Sequence, residues 1–169
     1  MKLARTGIIA VAMLAVATIA FAQKPDFSGT WTLDPEASGM QAGAGGGGGG
    51  GRQGGGRGMA GPMTVKVAGD TLTVERTGMG GNKTTTTYKL DGTESVNKQT
   101  MGRGENAREV ELKSTAKWDG SKLVISTQRP GQGGEMMTST QTWSIEGGNL
   151  VIETTGGRGG GKQVYKKTT

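Results

Sequence analysis

From residue 27 onward, apolar and polar positions alternate in short runs separated by glycine. In FSGTWTL the residues Phe27, Gly29, Trp31 and Leu33 share one face, and in MTVKV it is Met63, Val65 and Val67. TLTVER contributes Leu72 and Val74, and TTTTYKL contributes Tyr88 and Leu90. The clearest run is REVELKSTAKWD, with Val110, Leu112, Ala116 and Trp118 on one side and Glu109, Glu111, Lys113 and Lys117 on the other. SKLVISTQ adds Leu123 and Ile125, TSTQTWSI adds Trp143 and Ile145, and GNLVIETT adds Leu150 and Ile152. KQVYKK closes the chain, and a weaker run, ESVNK, lies between TTTTYKL and REVELK. A period of two marks a strand with one buried face. No run of useful length carries the 3.6-residue period of a helix, so the pattern predicts an all-β chain of ten strands.

Turn chemistry orders these strands. Gly69-Asp70, Asp91-Gly92, Asp119-Gly120 and Gly147-Gly148 each separate two runs, and tight hairpin turns favour such residues because they need positive φ. GDTLTVERTG, GSKLVIST and GGNLVIETTG repeat the phrase Gly-x-x-Leu-x-(Val/Ile), which supports the strand assignments. The other connections, 39–62, 77–82, 98–107, 128–135 and 156–161, are long and glycine-rich. The two kinds alternate strictly. In an up-and-down meander that places every tight turn at one end and every long loop at the other. Closing such a sheet into an antiparallel β-barrel removes its exposed edges. A two-sheet sandwich or an open meander is the alternative.

The first residues, MKLARTGIIAVAMLAVATIAFA, have a different character. Lys2 and Arg5 precede an apolar run over 8–21, and Ala20-Phe21-Ala22 supplies an A-x-A cleavage site. This reads as a signal peptide at 1–22, cut after Ala22, and predicts a periplasmic or secreted protein with one domain over 23–169. The uncharged stretch at 6–22 has 17 residues, short of the roughly 20 a transmembrane helix needs. No second apolar stretch follows, so no stable membrane insertion is expected after cleavage. Removing Lys2 and Arg5 leaves 18 cationic against 14 acidic side chains, a net charge of +4. That mild excess suits small anions without requiring nucleic acid. With no cysteine, stability must come from a packed core and not from disulfides.

The absence of histidine and cysteine narrows the chemistry further. It removes Cys/His zinc sites, Ser-His-Asp and Cys-His nucleophiles, and imidazole acid–base work. A carboxylate pair could still hydrolyse a glycoside, but the acids fall on polar strand faces or in turns, and nothing pairs them. The chain is therefore read as a non-enzyme with no catalytic residues, no cofactor and no metal. Its methionines gather near the long-loop end, where thioethers serve adaptable apolar contact in preference to copper ligation.

Strand direction and parity sort the inward residues by height. Near the tight turns they are mainly Leu, Ile, Val and Trp, which predicts a dry plug. Near the long loops they include Arg76, Thr84, Thr86, Thr127, Arg129, Ser139, Gln141 and Thr154. Guanidinium groups suit carboxylate or phosphate, and a barrel of this size can hold one small ligand. Arg76, Arg129, Thr86 and Gln141 are thus candidate ligand-binding residues, with a head group directed at the two arginines. The opposing reading is a solvated rim, where Thr and Arg are common.

Two stretches carry a resemblance. Phe27-Ser28-Gly29-Thr30-Trp31-Thr32-Leu33 resembles the opening of the calycin superfamily, in which lipocalins begin with Gly-x-Trp and fatty-acid-binding proteins with nearly the same words. The ending Gln163-Val164-Tyr165-Lys166-Lys167 resembles the Arg-x-Tyr strand that closes fatty-acid-binding proteins. The resemblance implies a ligand-binding barrel and adds Tyr165 to the candidate site. Gln163 stands where that family's carboxylate-binding arginine would be, so the ligand class stays open. Loop 39–62 takes the place of the family's helical lid. The FSGTW-LDPEAS opening on an exported glycine-rich chain also resembles small bacterial secreted lipocalin-like proteins.

Residues 42–58, AGAGGGGGGGRQGGGRG, lack the aromatics and repeated Arg-Gly-Gly units of a nucleic-acid-binding arm. They follow a single strand, so they do not space two domains. Ordering them would cost roughly 1–2 kcal/mol per residue with few side chains to offset it, which predicts a disordered loop at 39–62 over the barrel mouth. The expected protein is a monomeric exported module for a small lipid-like or anionic ligand, with no nucleic-acid partner. The alternative is a structural or interaction protein of the cell envelope with no cavity ligand.

Overall fold

The computed structural model describes residues 24–39, 61–78, 81–101, 107–131, 134–157 and 160–168. Its ten strands are β1 (Gly29–Asp34), β2 (Met63–Ala68), β3 (Thr71–Thr77), β4 (Lys83–Lys89), β5 (Asp91–Met101), β6 (Arg108–Asp119), β7 (Lys122–Pro130), β8 (Met136–Glu146), β9 (Asn149–Gly156) and β10 (Gly161–Thr168). They form one antiparallel sheet in the order β4-β3-β2-β1-β10-β9-β8-β7-β6-β5. β1 pairs with both β2 and β10, so the first and last strands join and the sheet curls into a nearly closed barrel. The predicted leader at 1–22 and most of the predicted loop at 39–62 lie outside the described residues. Among the described residues there is no helix, and so none long and apolar enough to cross a membrane.

The alternation translates into burial. Met63, Val65, Leu72, Val74, Ala116, Leu123, Ile125, Trp143, Leu150 and Ile152 are all buried in one cluster. Removing each of the large ones from water stabilises the fold by roughly 1.5–3 kcal/mol. The tight turns all fall at one end. At β8–β9 both Gly147 and Gly148 have positive φ, as the turn type that matches strand twist requires. At β6–β7 the turn is Gly120-Ser121, one residue beyond the expected pair, because Asp119 is still in register with Lys122. The connections 102–107 and 131–135 are shorter than expected, since β5 reaches Met101 and β7 reaches Pro130.

Phe27 precedes the first strand and seals the tight-turn end. Its ring stacks on Trp118 with centroids 5.6 Å apart and meets the edge of Trp143 at 5.9 Å. Its carbonyl accepts a hydrogen bond from Trp31 Nε1 at 2.9 Å. The opening Gly-x-Trp has a physical cause here. Gly29 has φ +141°, and a Cβ on it would lie 2.7 Å from Lys167 Cε. The bare glycine lets the lysine chain cross and set its ammonium over the Trp31 ring, 5.5 Å from the centroid. Lys24 does the same over Trp118 at 5.4 Å. A cleft of about 320 Å³ between residues 24–28 and the neighbouring turns lies at this end.

The LDPEAS stretch fastens β1 to β10. Asp34 accepts hydrogen bonds from the Glu36 and Ala37 amides at 3.1 and 3.2 Å, closing a turn. The Ser38 hydroxyl donates to the Asp34 carbonyl at 2.6 Å and accepts from the Val164 amide at 2.9 Å. Lys166 reaches Asp34 at 2.7 Å. Together the ammonium and the amides hold the Asp34 carboxyl below its ordinary range.

The expected hairpin at Asp91-Gly92 is corrected. β4 and β5 are linked by a tight turn, yet no backbone ladder joins them, and they form the two ends of the sheet. Side chains bridge the seam instead. Asn97 accepts from the Thr87 amide and donates to the Thr87 carbonyl, both at 2.9 Å. Its carboxamide thereby replaces a missing peptide unit. Ser95 accepts from the Lys89 amide at 2.8 Å. The register of β5 against β6 shifts between Asp91 and Glu94, and such a bulge bends a strand away from its neighbour.

Candidate functional site

The barrel interior has two halves. Toward the tight turns it is the aromatic and aliphatic plug. Toward the long loops its inward positions carry hydroxyls, carboxamides and two arginines. Arg76 is the third inward position of β3, after Leu72 and Val74, and is paired with Met63 on one side and Thr84 on the other. Thr86 lies opposite Val74 and Tyr88 opposite Leu72. Arg76, Thr84, Thr86 and Tyr88 therefore occupy one wall. All four are half-buried.

The other expected residues are distributed differently. Gln141 lies on β8 opposite Ile125 and Thr154, and its Oε1 accepts from Trp143 Nε1 at 3.1 Å. Tyr165 is buried on β10 opposite Leu33 and Leu150, two rows nearer the plug. Its hydroxyl donates to Gln163 Oε1 at 3.2 Å. Arg129 lies near the end of β7, opposite Met137. Crossing from β3 to β7 takes four strand positions by way of the seam and six the other way. The structure thus brings Arg76 and Thr86 together, puts Gln141 and Tyr165 on a second wall, and sets Arg129 on a third.

Electrostatics distinguishes these walls. Burial pushes the Tyr88 phenol above its ordinary value, while the Arg76 guanidinium draws it part of the way back. Tyr88 consequently stays a protonated donor under a neighbouring positive charge. Ser114, buried on β6, shares a hydrogen bond of 2.9 Å with Thr127 across β7. Among the described residues no three acidic side chains converge on a metal-sized space. Alternation alone marked Tyr88 as a plug residue. The register of β3 against β4, which sets it on the arginine wall, was the missing information.

Ten antiparallel strands in sequential order, joined between first and last and open between fourth and fifth, make this a calycin-like barrel. Solved structures with a similar fold include a secretary abundant heat soluble (SAHS) protein from Ramazzottius varieornatus, at 18% identity over 84% of this chain and 95% of that one, TM-score 0.54. Human cRBP IV is similar at 18% identity over 85% and 99%, TM-score 0.53. The REP1-NXSQ fatty acid transporter is similar at 15% identity over 84% and 96%, TM-score 0.51. No protein-family model and no curated protein matches the sequence.

Proposed function

We propose that this protein is an exported, non-enzymatic binding module that holds one small amphiphilic or anionic ligand in the loop-end half of its barrel. The carrying observation is the division of the interior. An apolar plug closes one end, and half-buried inward polar side chains with Arg76 and Arg129 line the other. Such a cavity accepts an apolar tail and a charged or polar head in the same molecule. The similar folds carry printed names of a fatty acid transporter and of cRBP IV, which supports a small-molecule cargo. Export follows from the leader pattern at 1–22, with cleavage after Ala22 and a periplasmic or secreted location.

A direct test is fluorescence titration with cis-parinarate, an anionic polyene amphiphile. The wild-type chain without its leader should bind it, and the double variant R76A/R129A should not. Unchanged affinity in the double variant would place the site elsewhere. The second reading, an envelope interaction protein with no cavity ligand, is favoured by the mutual pairing of Gln141 with Trp143, Gln163 with Tyr165 and Ser114 with Thr127, which lets polar residues fill an interior unaided. Absence of binding to any amphiphile would select it.

A further inference from the structure

We infer that the ligand's polar head is an oxyanion bound on the β3–β4 wall, with Tyr88 as its deepest specificity determinant and the β8–β10 wall left to the tail. This inference rests on the binding reading above and deepens it. Hydrogen-bonding capacity is unequal around the barrel. On the β8–β10 wall the two inward carboxamides are closed on neighbours: Gln141 on Trp143 and Gln163 on Tyr165. Each has its carbonyl oxygen fixed by an aromatic donor. Across β6 and β7, Ser114 and Thr127 satisfy each other.

The β3–β4 wall is the opposite. Among the described residues, the hydroxyls of Thr84, Thr86 and Tyr88 have no hydrogen-bond partner, yet no buried side-chain oxygen is left unsatisfied. Their oxygens therefore face space that a water or a ligand atom can enter. Arg76 shares this wall and interacts with other groups as well, and its five N–H donors can serve more than one acceptor. Three hydroxyls and a guanidinium are donors that match a group with several acceptor oxygens. A carboxylate or a phosphate monoester has such oxygens, and an alcohol or ester head would leave most of these donors unmet. Tyr88 lies opposite Leu72, next to the plug, so the head sits deep and the tail runs toward the loops along the satisfied wall.

The test compares cis-parinarate with its methyl ester on the wild-type chain, Y88F, T86V and Q141L, each first shown to unfold at wild-type temperature or close to it. The wild type should hold the acid about tenfold or more tighter than the ester, the scale of hydrogen bonds to a charged group. Y88F should lose most of that preference by weakening the acid alone, T86V should lose part of it, and Q141L should keep it. In competition, dodecanoate or dodecyl phosphate should displace parinarate where dodecanol does not, and the stronger competitor identifies the head. Equal affinity of the wild type for acid and ester overturns the inference while leaving the binding reading intact. So does a preference that survives in Y88F and vanishes in Q141L, or displacement by dodecanol as readily as by the anions. If neither probe binds the wild type, the binding reading itself fails and the head subsite fails with it.

Discussion

Gly29 shows how one missing methyl group sets a local arrangement. Its positive φ and its contact with the Lys167 chain both exclude a side chain, and the ammonium beyond that contact lies over Trp31. An ammonium over an indole contributes about 0.5–1 kcal/mol at an exposed site. Gly29→Ala should lower stability by about 1–3 kcal/mol, from backbone strain plus the clash, measured as a fall in the urea midpoint of tryptophan fluorescence. Adding Lys167→Ala should recover the clash and leave the strain, so the double variant should lie between G29A and K167A. At the plug, Phe27→Ala removes a ring packed between two indoles and should cost about 3–5 kcal/mol.

The DPEAS turn and the β4–β5 seam both replace backbone pairing with side-chain oxygens and amides. Ser38→Ala strips the Val164 amide of its acceptor and should cost about 1–3 kcal/mol by thermal or urea unfolding. Asn97→Ala should speed hydrogen exchange at the Thr87 amide about five- to tenfold, through loss of roughly 1 kcal/mol of local protection. The Thr86 amide, on the β3 side, should be unaffected. The ten strands and the positions of the tight turns were legible because alternation and glycine are local signals. The seam was not. ESVNK read as a weak strand because Ser95 and Asn97 occupy positions where a buried face would be apolar. Their purpose is lateral, and a one-dimensional pattern holds no lateral information. The candidate site was legible in part for the same reason: parity found Arg76, Thr86 and Gln141, while their grouping into walls depends on register and closure.

Across the molecule, charge sets a broad stability plateau. Hydrogen bonds hold the Asp26, Asp34, Asp91 and Glu146 carboxyls below their ordinary values, with lysines assisting. Their contribution is present above the ordinary carboxylate range and is lost as pH falls through the lowered values. Lys98 and Lys166 are raised by Glu109 and Asp34, and Tyr88 is raised by burial. Those contributions are complete below the ordinary values and are lost as pH rises through the raised ones. With no histidine in the chain, the urea midpoint should be flat from about pH 5 to about pH 9 and fall on both sides. An inflection near neutrality would contradict this assignment.

The central claim is that the loop-end half of this barrel carries a small amphiphilic or anionic molecule, and native mass spectrometry of the protein purified from its own envelope tests it most directly. The account predicts a discrete noncovalent mass on the folded chain that is absent from R76A/R129A isolated in the same way. A folded wild-type chain found at its bare polypeptide mass, and still bare after incubation with anionic amphiphiles, would contradict it.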